Sequence, residues 1–153
     1  MSDEALRLDH QLCFPLYAAT RAMMQAYQPL LARLGLTYPQ YLVLMVLWET
    51  DGLSMKLIGE RLYLDSGTLT PLLKRMEEAG LVRRVRSARD ERVVDVFLTA
   101  EGKRLKRRAL DVPQQLFCKL DMPIDEFLKM REDVRHLFER IRDLNENAKE
   151  KTR

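Results

Sequence analysis

The chain has two thiols, Cys13 and Cys118. A thiolate attacks a peroxide to give a sulfenic acid, and a second thiol can condense with that acid to a disulfide. Cys13 lies in Leu12-Cys13-Phe14-Pro15-Leu16. Proline is well tolerated only in the first turn of a helix, so Pro15 puts Cys13 at or near a helix N-terminus. The partial positive charge there favours a thiolate. Its apolar neighbours Leu12, Phe14 and Leu16 favour an alkyl hydroperoxide over hydrogen peroxide. Taken alone, a cysteine of this kind is more often a small core hydrophobe. His10 and His136 read as surface residues. They complete no metal set with two cysteines so far apart, so neither metal nor cofactor is expected.

The elements that position these groups can be read from periodicity. A long helix runs from about Leu12 to Leu34, where Gly35 ends it. Its stripe of Leu16, Ala19, Met23, Ala26, Leu30 and Leu34 is too long for one small lobe to cover, so it is expected to be shared with a second copy. Thr37 and Gln40 fit a capping box with Pro39 in the first turn, opening a buried helix over Tyr41–Trp48. Asp51-Gly52 ends that helix.

Residues 53–102 read as helix, turn, helix and basic two-stranded hairpin. Ser54 caps the first helix, which is expected to carry Leu57, Ile58 and Leu62 on its core face. After a turn at Tyr63–Gly67, Leu69, Leu72, Leu73 and Met76 recur at helical spacing, and Gly80 fits a C-terminal cap. Gly67, Thr70 and Lys74 lie opposite, with Thr68 and Arg75 at the margins. Small, hydroxylic and cationic residues suit a helix pressed into a major groove. Pro71 predicts an irregular start to that helix. Val82–Arg86 and Val93–Leu98 then form a hairpin with a long loop. Arg83, Arg84, Arg86, Arg89 and Arg92 cluster on it, placed to reach phosphates or a minor groove. The fold class is mainly α with a small β-hairpin wing: a winged helix-turn-helix lobe over 37–108, with helices at 9–35 and 111–147 for dimerisation.

A basic helix is expected over Lys103–Leu110, then a helical turn carrying Cys118. Met122-Pro123 breaks the chain. A last helix follows from about Ile124 to Asn147, with Phe127, Met130, Val134, Leu137, Phe138, Ile141 and Leu144 in one stripe. Residues 1–8 are expected to be frayed and the tail Lys149–Arg153 to be disordered. The formal charge is +3. Residues 52–108 carry 14 Lys/Arg against 8 Asp/Glu, so the basic excess sits on the candidate DNA-binding segment. No apolar run is long enough to span a membrane, and the acidic start does not resemble a signal peptide, so a cytoplasmic protein with reduced cysteines is expected.

The pattern Asp90-x-Arg92-x-x-x-Val96-x-Leu98-Thr99-x-x-Gly102 resembles the wing signature of the MarR family of bacterial transcription regulators. Three segments are similar to its organic hydroperoxide resistance branch, OhrR: Leu12–Tyr17, Leu36–Tyr41 and Tyr63–Pro71. The resemblance implies a homodimeric repressor, not an enzyme, on an inverted-repeat duplex DNA operator, with organic hydroperoxide as inducer. It implies Cys13 as redox sensor, Tyr27 and Tyr38 as hydrogen-bonding partners of its sulfur, and Cys118 as the resolving thiol of the other subunit. Two phenol hydroxyls donating to a thiolate would stabilise it further. The DNA-binding set on the helix is Asp65, Ser66, Thr68, Thr70, Lys74 and Arg75. On the wing it is Arg84, Arg86, Arg89, Asp90 and Arg92. The alternative is a MarR-type repressor released by a small phenolic ligand, which would not need Cys13. A thiol peroxidase would need alternating strands and helices that are absent, and gains nothing from a basic wing.

Overall fold

A computed structural model describes residues 3–150, with the side chains of 149 and 150 left out. The expected disordered tail therefore lies largely outside the described residues. The described residues form seven α-helices and a small sheet: α1 (Cys13–Ala32), α2 (Tyr38–Glu49), β1 (Leu53–Ser54), α3 (Met55–Leu62), α4 (Ser66–Glu78), β2 (Val82–Arg86), β3 (Val94–Leu98), α5 (Ala100–Ala109), α6 (Val112–Leu120) and α7 (Ile124–Glu150). Asp3–Leu6 and Leu8–His10 form two exposed 3₁₀ turns, the first within the stretch 1–8 where fraying is expected. The chain divides into two compact units, through Pro113 and from Gln114 onward.

In the first unit α2 is the buried strut. Tyr41, Val43, Leu44, Val46 and Leu47 are all buried along it. Gln40 Oε1 accepts from the Thr37 N–H at 2.9 Å, the return half of the expected capping box. Trp48 Nε1 donates to the Gly102 carbonyl at 2.8 Å and so ties α2 to α5. Gly102 has to be glycine for a separate reason: a Cβ there would lie 2.3 Å from the Leu81 carbonyl oxygen. The helix α1 ends at Ala32, slightly before the expected Leu34, and Gly35 follows in the left-handed region at φ 69°. Only Leu30 and Leu31 of α1 are buried.

The helix pair α3–α4 is capped at each start. Ser54 Oγ accepts from the Leu57 N–H at 3.3 Å, and Asp65 Oδ1 accepts from the Thr68 N–H at 2.8 Å. The Asp65 cap starts α4 at Ser66, earlier than the sequence suggests, because Ser66 and Gly67 are drawn into its first turn. Pro71 sits inside a continuous α4. The expected buried quartet Leu69, Leu72, Leu73 and Met76 is buried. Leu57 is not: it is 47% exposed, while Ile58 alone of that expected trio is fully buried. Gly80 lies at φ 71° just past the end of α4.

The sheet has three strands, not two, in the order β1-β3-β2. β2 and β3 pair antiparallel from Val82 opposite Leu98 to Arg86 opposite Val94, and Leu53 pairs with Val96. Asp51 supports the sheet, accepting from the Leu98 N–H at 2.8 Å and pairing with Lys103 at 3.3 Å. Thr99 caps α5, which therefore opens at Ala100 and not at Lys103. In the second unit, α7 is a 27-residue helix. Its Met130, Val134, Phe138, Ile141 and Leu144 are exposed in a row. Phe117 packs edge-on against Phe127 with ring centroids 5.1 Å apart.

Candidate functional site

The DNA-reading candidates fall on one lobe and split by what their side chains do. Ser66, Thr68, Thr70, Lys74 and Arg75 are exposed on α4, with Thr70 and Lys74 opposite its buried quartet and Thr68 and Arg75 at its margins. Asp65 is occupied by the cap: hydrogen bonding from the Thr68 backbone and side chain holds its carboxyl below the usual carboxylate range. Lys74 approaches Glu78 at 4.0 Å on an exposed surface, a contact worth little.

On the wing, Arg86, Arg89 and Arg92 are exposed. Asp90 shapes the loop, with Oδ1 accepting from the Arg92 N–H at 2.9 Å. Arg83 lies over the Phe97 ring at 5.0 Å. Arg84 differs from the expectation of a free phosphate-binding cation. Its guanidinium is held by the Glu77 carboxylate, through Nε at 3.0 Å and Nη2 at 2.8 Å. The sequence carries no sign of this, because Glu77 and Arg84 lie on different elements joined through Gly80.

The thiol candidates are differently placed. Cys13 is the first residue of α1, is exposed and is a free thiol. Leu12, Phe14 and Tyr17 around it are exposed large side chains. Tyr27 and Tyr38 come together from α1 and α2, with ring centroids 4.7 Å apart, and Tyr41 joins them at 6.2 and 6.5 Å. Tyr41 is a member of this cluster that sequence reading missed, since it begins an apolar run that reads as core. Burial, with Tyr38 and Tyr41 beside it, pushes the Tyr27 phenol up to about 12. Burial also raises Tyr38, and burial together with Tyr38 raises Tyr41. All three therefore keep their protons, and so remain donors, at neutral pH. Tyr27 and Tyr38 line a cavity of about 630 Å³ with Leu31, Leu36 and Pro39.

Within one chain the structure does not bring Cys13 to these phenols. Cys13 and Tyr27 lie on the same continuous helix, which at about 1.5 Å per residue separates them by roughly 21 Å. Cys118 is an exposed free thiol on α6, in the second unit. Among the described residues no group of side chains suits a metal ion, and no helix is long and apolar enough to cross a membrane.

Comparison with known proteins decides the family. Residues 25–109 match the SarA/Rot family of transcriptional regulators. The chain is 46% identical over 140 residues to the organic hydroperoxide resistance transcriptional regulator of Bacillus subtilis (strain 168), covering 92% of this chain and 95% of that one. The chain belongs to the MarR family, in its organic hydroperoxide regulator branch. Solved structures agree. Reduced AbfR bound to DNA matches with a TM-score of 0.75 at 35% identity, over 92% of this chain and 99% of AbfR. AbfR, a protein of Staphylococcus epidermidis, is also known overoxidised on DNA (TM-score 0.70, 36% identity, 90% and 99% covered) and with its disulfide formed (0.62, 36%, 89% and 96%). PcaV of Streptomyces coelicolor, in complex with its natural ligand, matches with a TM-score of 0.79 at 26% identity, over 87% of this chain and 95% of PcaV. The chain is thus a winged-helix regulator of transcription that binds DNA.

Proposed function

We propose that this regulator is a homodimeric repressor that senses organic hydroperoxides through Cys13. The observation that carries the reading is the exposed thiol at the first residue of α1, surrounded by uncovered apolar side chains, in a chain of this family. The Cys13 thiolate attacks the hydroperoxide, breaking the O–O bond. The sulfur takes one oxygen as a sulfenic acid, and the alkoxide leaves and is protonated to an alcohol. The thiol of Cys118 of the partner subunit then condenses with that sulfenic acid, forming the S–S bond and releasing water.

The length of α1 supports a site built from two chains. If Tyr27 and Tyr38 donate to the Cys13 sulfur, they must come from the other copy, so the donors are the partner subunit's pair. The exposed row on α7, with Phe14 and Tyr17 at the start of α1, supplies apolar surface for such an assembly. AbfR on DNA both reduced and overoxidised supports assigning release to the disulfide and not to the oxidised sulfur alone. In the reduced dimer, two α4 helices enter successive major grooves about 34 Å apart, on an inverted repeat. Lys74, Thr68 and Thr70 read bases, and Arg86, Arg89 and Arg92 contact the backbone or minor groove.

The test is an operator titration with reduced protein, repeated after one equivalent of cumene hydroperoxide. Release that is reversed by dithiothreitol is expected. Unchanged affinity would reject the sensor. The cavity beside Tyr27 and the likeness to ligand-bound PcaV favour one competing reading, release by a small ligand. That reading predicts a Cys13→Ser variant that still responds to its inducer.

A further inference from the structure

One carboxylate of the recognition helix ties down an edge strand of the wing. β2 is an edge strand, since the sheet order is β1-β3-β2. A backbone N–H on the outer side of an edge strand has no neighbouring strand to pair with. At Arg84 this N–H donates instead to Glu77 Oε1 at 2.8 Å. The Arg84 side chain donates to the other oxygen of the same carboxylate through Nε at 3.0 Å and Nη2 at 2.8 Å. One carboxylate on the last turn of α4 thus takes three donors from one residue of the wing. Those hydrogen bonds and the Arg84 charge hold the Glu77 carboxyl below the usual carboxylate range.

Val85 and Arg86 pair with β3, and beyond Arg86 the loop is held by hydrogen bonds within itself. Ser87 N–H donates to the Val93 carbonyl at 2.8 Å, Val93 N–H to the Asp90 carbonyl at 2.9 Å, and Arg92 N–H to the Asp90 side chain at 2.9 Å. The exposed Arg86, Arg89 and Arg92 therefore extend from a base whose direction is set at Arg84.

We propose that Glu77 is a positioning residue for DNA binding. By gripping Arg84 through both backbone and side chain, it fixes the angle and distance at which the wing leaves the recognition helix. Phosphate contacts set the register of a protein on its duplex, so the wing arginines act together with α4 only if that spacing is held. A wing freed at its base would have to be ordered at each binding event, and that lost freedom weakens the complex. The inference rests on the reading that the wing touches DNA, and it is independent of the thiol chemistry.

The experiment is a mutant cycle on the reduced, full-length dimer. The probe is a fluorescein-labelled duplex carrying the inverted repeat that the wild-type protein selects from a randomised library, followed by anisotropy over a salt series. Arg92→Ala alone weakens binding about tenfold and lowers the salt slope by about one. Glu77→Ala alone also weakens binding about tenfold, although Glu77 touches no DNA and its removal makes the surface less negative. Charge alone would make that substitution tighten binding, so the sign separates positioning from simple electrostatics. In the Glu77→Ala background Arg92→Ala then costs less than about twofold, because a loose wing has already lost that contact. Thr70→Ala keeps its full effect in both backgrounds.

A merely structural role for Glu77 would lower the melting temperature but leave the Arg92 effect unchanged. Equal Arg92→Ala factors in the two backgrounds overturn the proposal. An Arg92→Ala variant that binds like wild type rejects the wing reading itself, and the positioning role with it. Should Glu77→Ala not fold, Arg84→Lys serves in its place, because it keeps the charge and bulk but not the planar fork. The same coupling at smaller size is then expected, and additivity overturns the proposal equally.

Discussion

The DNA-reading lobe and the thiol site are built in opposite ways. The lobe around α4 is complete in one chain. Its helix is capped by Asp65, its quartet of apolar residues is buried, and its wing is tied by Glu77 to Arg84. The thiol end of α1 is open. Cys13 and its neighbours Leu12, Phe14 and Tyr17 are exposed, and Tyr27, which with Tyr38 of α2 would stabilise the thiolate, lies roughly 21 Å along the same helix. A lobe that reads DNA must hold its shape before it meets DNA, so its contacts are satisfied within the chain. A sensor coupled to the geometry of a dimer gains from a site that only the dimer completes.

The sharpest way to break this contrast is at Cys13. Cys13→Ser is expected to keep the fold and the operator affinity and to lose hydroperoxide release altogether, because an alcohol does not form a sulfenic acid. Operator binding measured before and after cumene hydroperoxide checks this, and release from the serine variant would reject the sensor assignment. The converse test lies inside the lobe. Gly102→Ala drives a Cβ toward the Leu81 carbonyl oxygen at 2.3 Å and is expected to cost about 3 kcal/mol by chemical denaturation. Native-like stability for that variant would mean that the close approach of α5 to Leu81 is easily relaxed.

How far each region was legible follows from the same contrast. The lobe's signals are local: Ser54 before a helix, Gly80 after one, four apolar residues at helical spacing. All of these are seen in the structure. The strand Leu53–Ser54 was invisible because two residues carry no alternation, and its pairing with β3, Leu53 with Val96 and Ser54 with Asp95, joins positions more than 40 residues apart. Leu57 reads as core by type, yet it faces solvent because Ile58 takes the buried side of α3. Arg84 reads as one more basic wing residue, and only the folded chain reveals Glu77 beneath it. The proposed thiol site was legible as residue types and as a resemblance, but not as geometry, because Cys13 and Tyr27 stand toward opposite ends of one long helix.

A smaller effect tests the phenols. Tyr27→Phe and Tyr38→Phe are each expected to slow Cys13 oxidation about tenfold while leaving operator affinity unchanged, since each removes one donor to the thiolate. Rates equal to wild type, followed by stopped-flow loss of free thiol, would remove the tyrosines from the site. The same cluster predicts an alkaline limb. The folded-state value of Tyr27 is raised from 10.0 to about 12, so the native state holds a proton that the unfolded state has lost across that window. Its contribution to stability is present in full below pH 10 and is lost as pH rises toward 12. Melting temperatures should fall through that window, less steeply in Tyr27→Phe. The smallest effect is Ser54→Ala, which removes the 3.3 Å cap of α3 and is expected to cost about 1 kcal/mol.

The central claim is that the sensing site is completed by a second chain, and a mixing experiment tests it most directly. Cys13→Ser and Cys118→Ser variants, tagged to differ in size, are exchanged into mixed dimers and treated with one equivalent of cumene hydroperoxide. Neither variant holds a complete pair within its own chain. The account predicts a covalent heterodimer on non-reducing electrophoresis, joining Cys13 of one chain to Cys118 of the other. Absence of that band, with wild-type protein forming a disulfide yet running as a monomer, would contradict it.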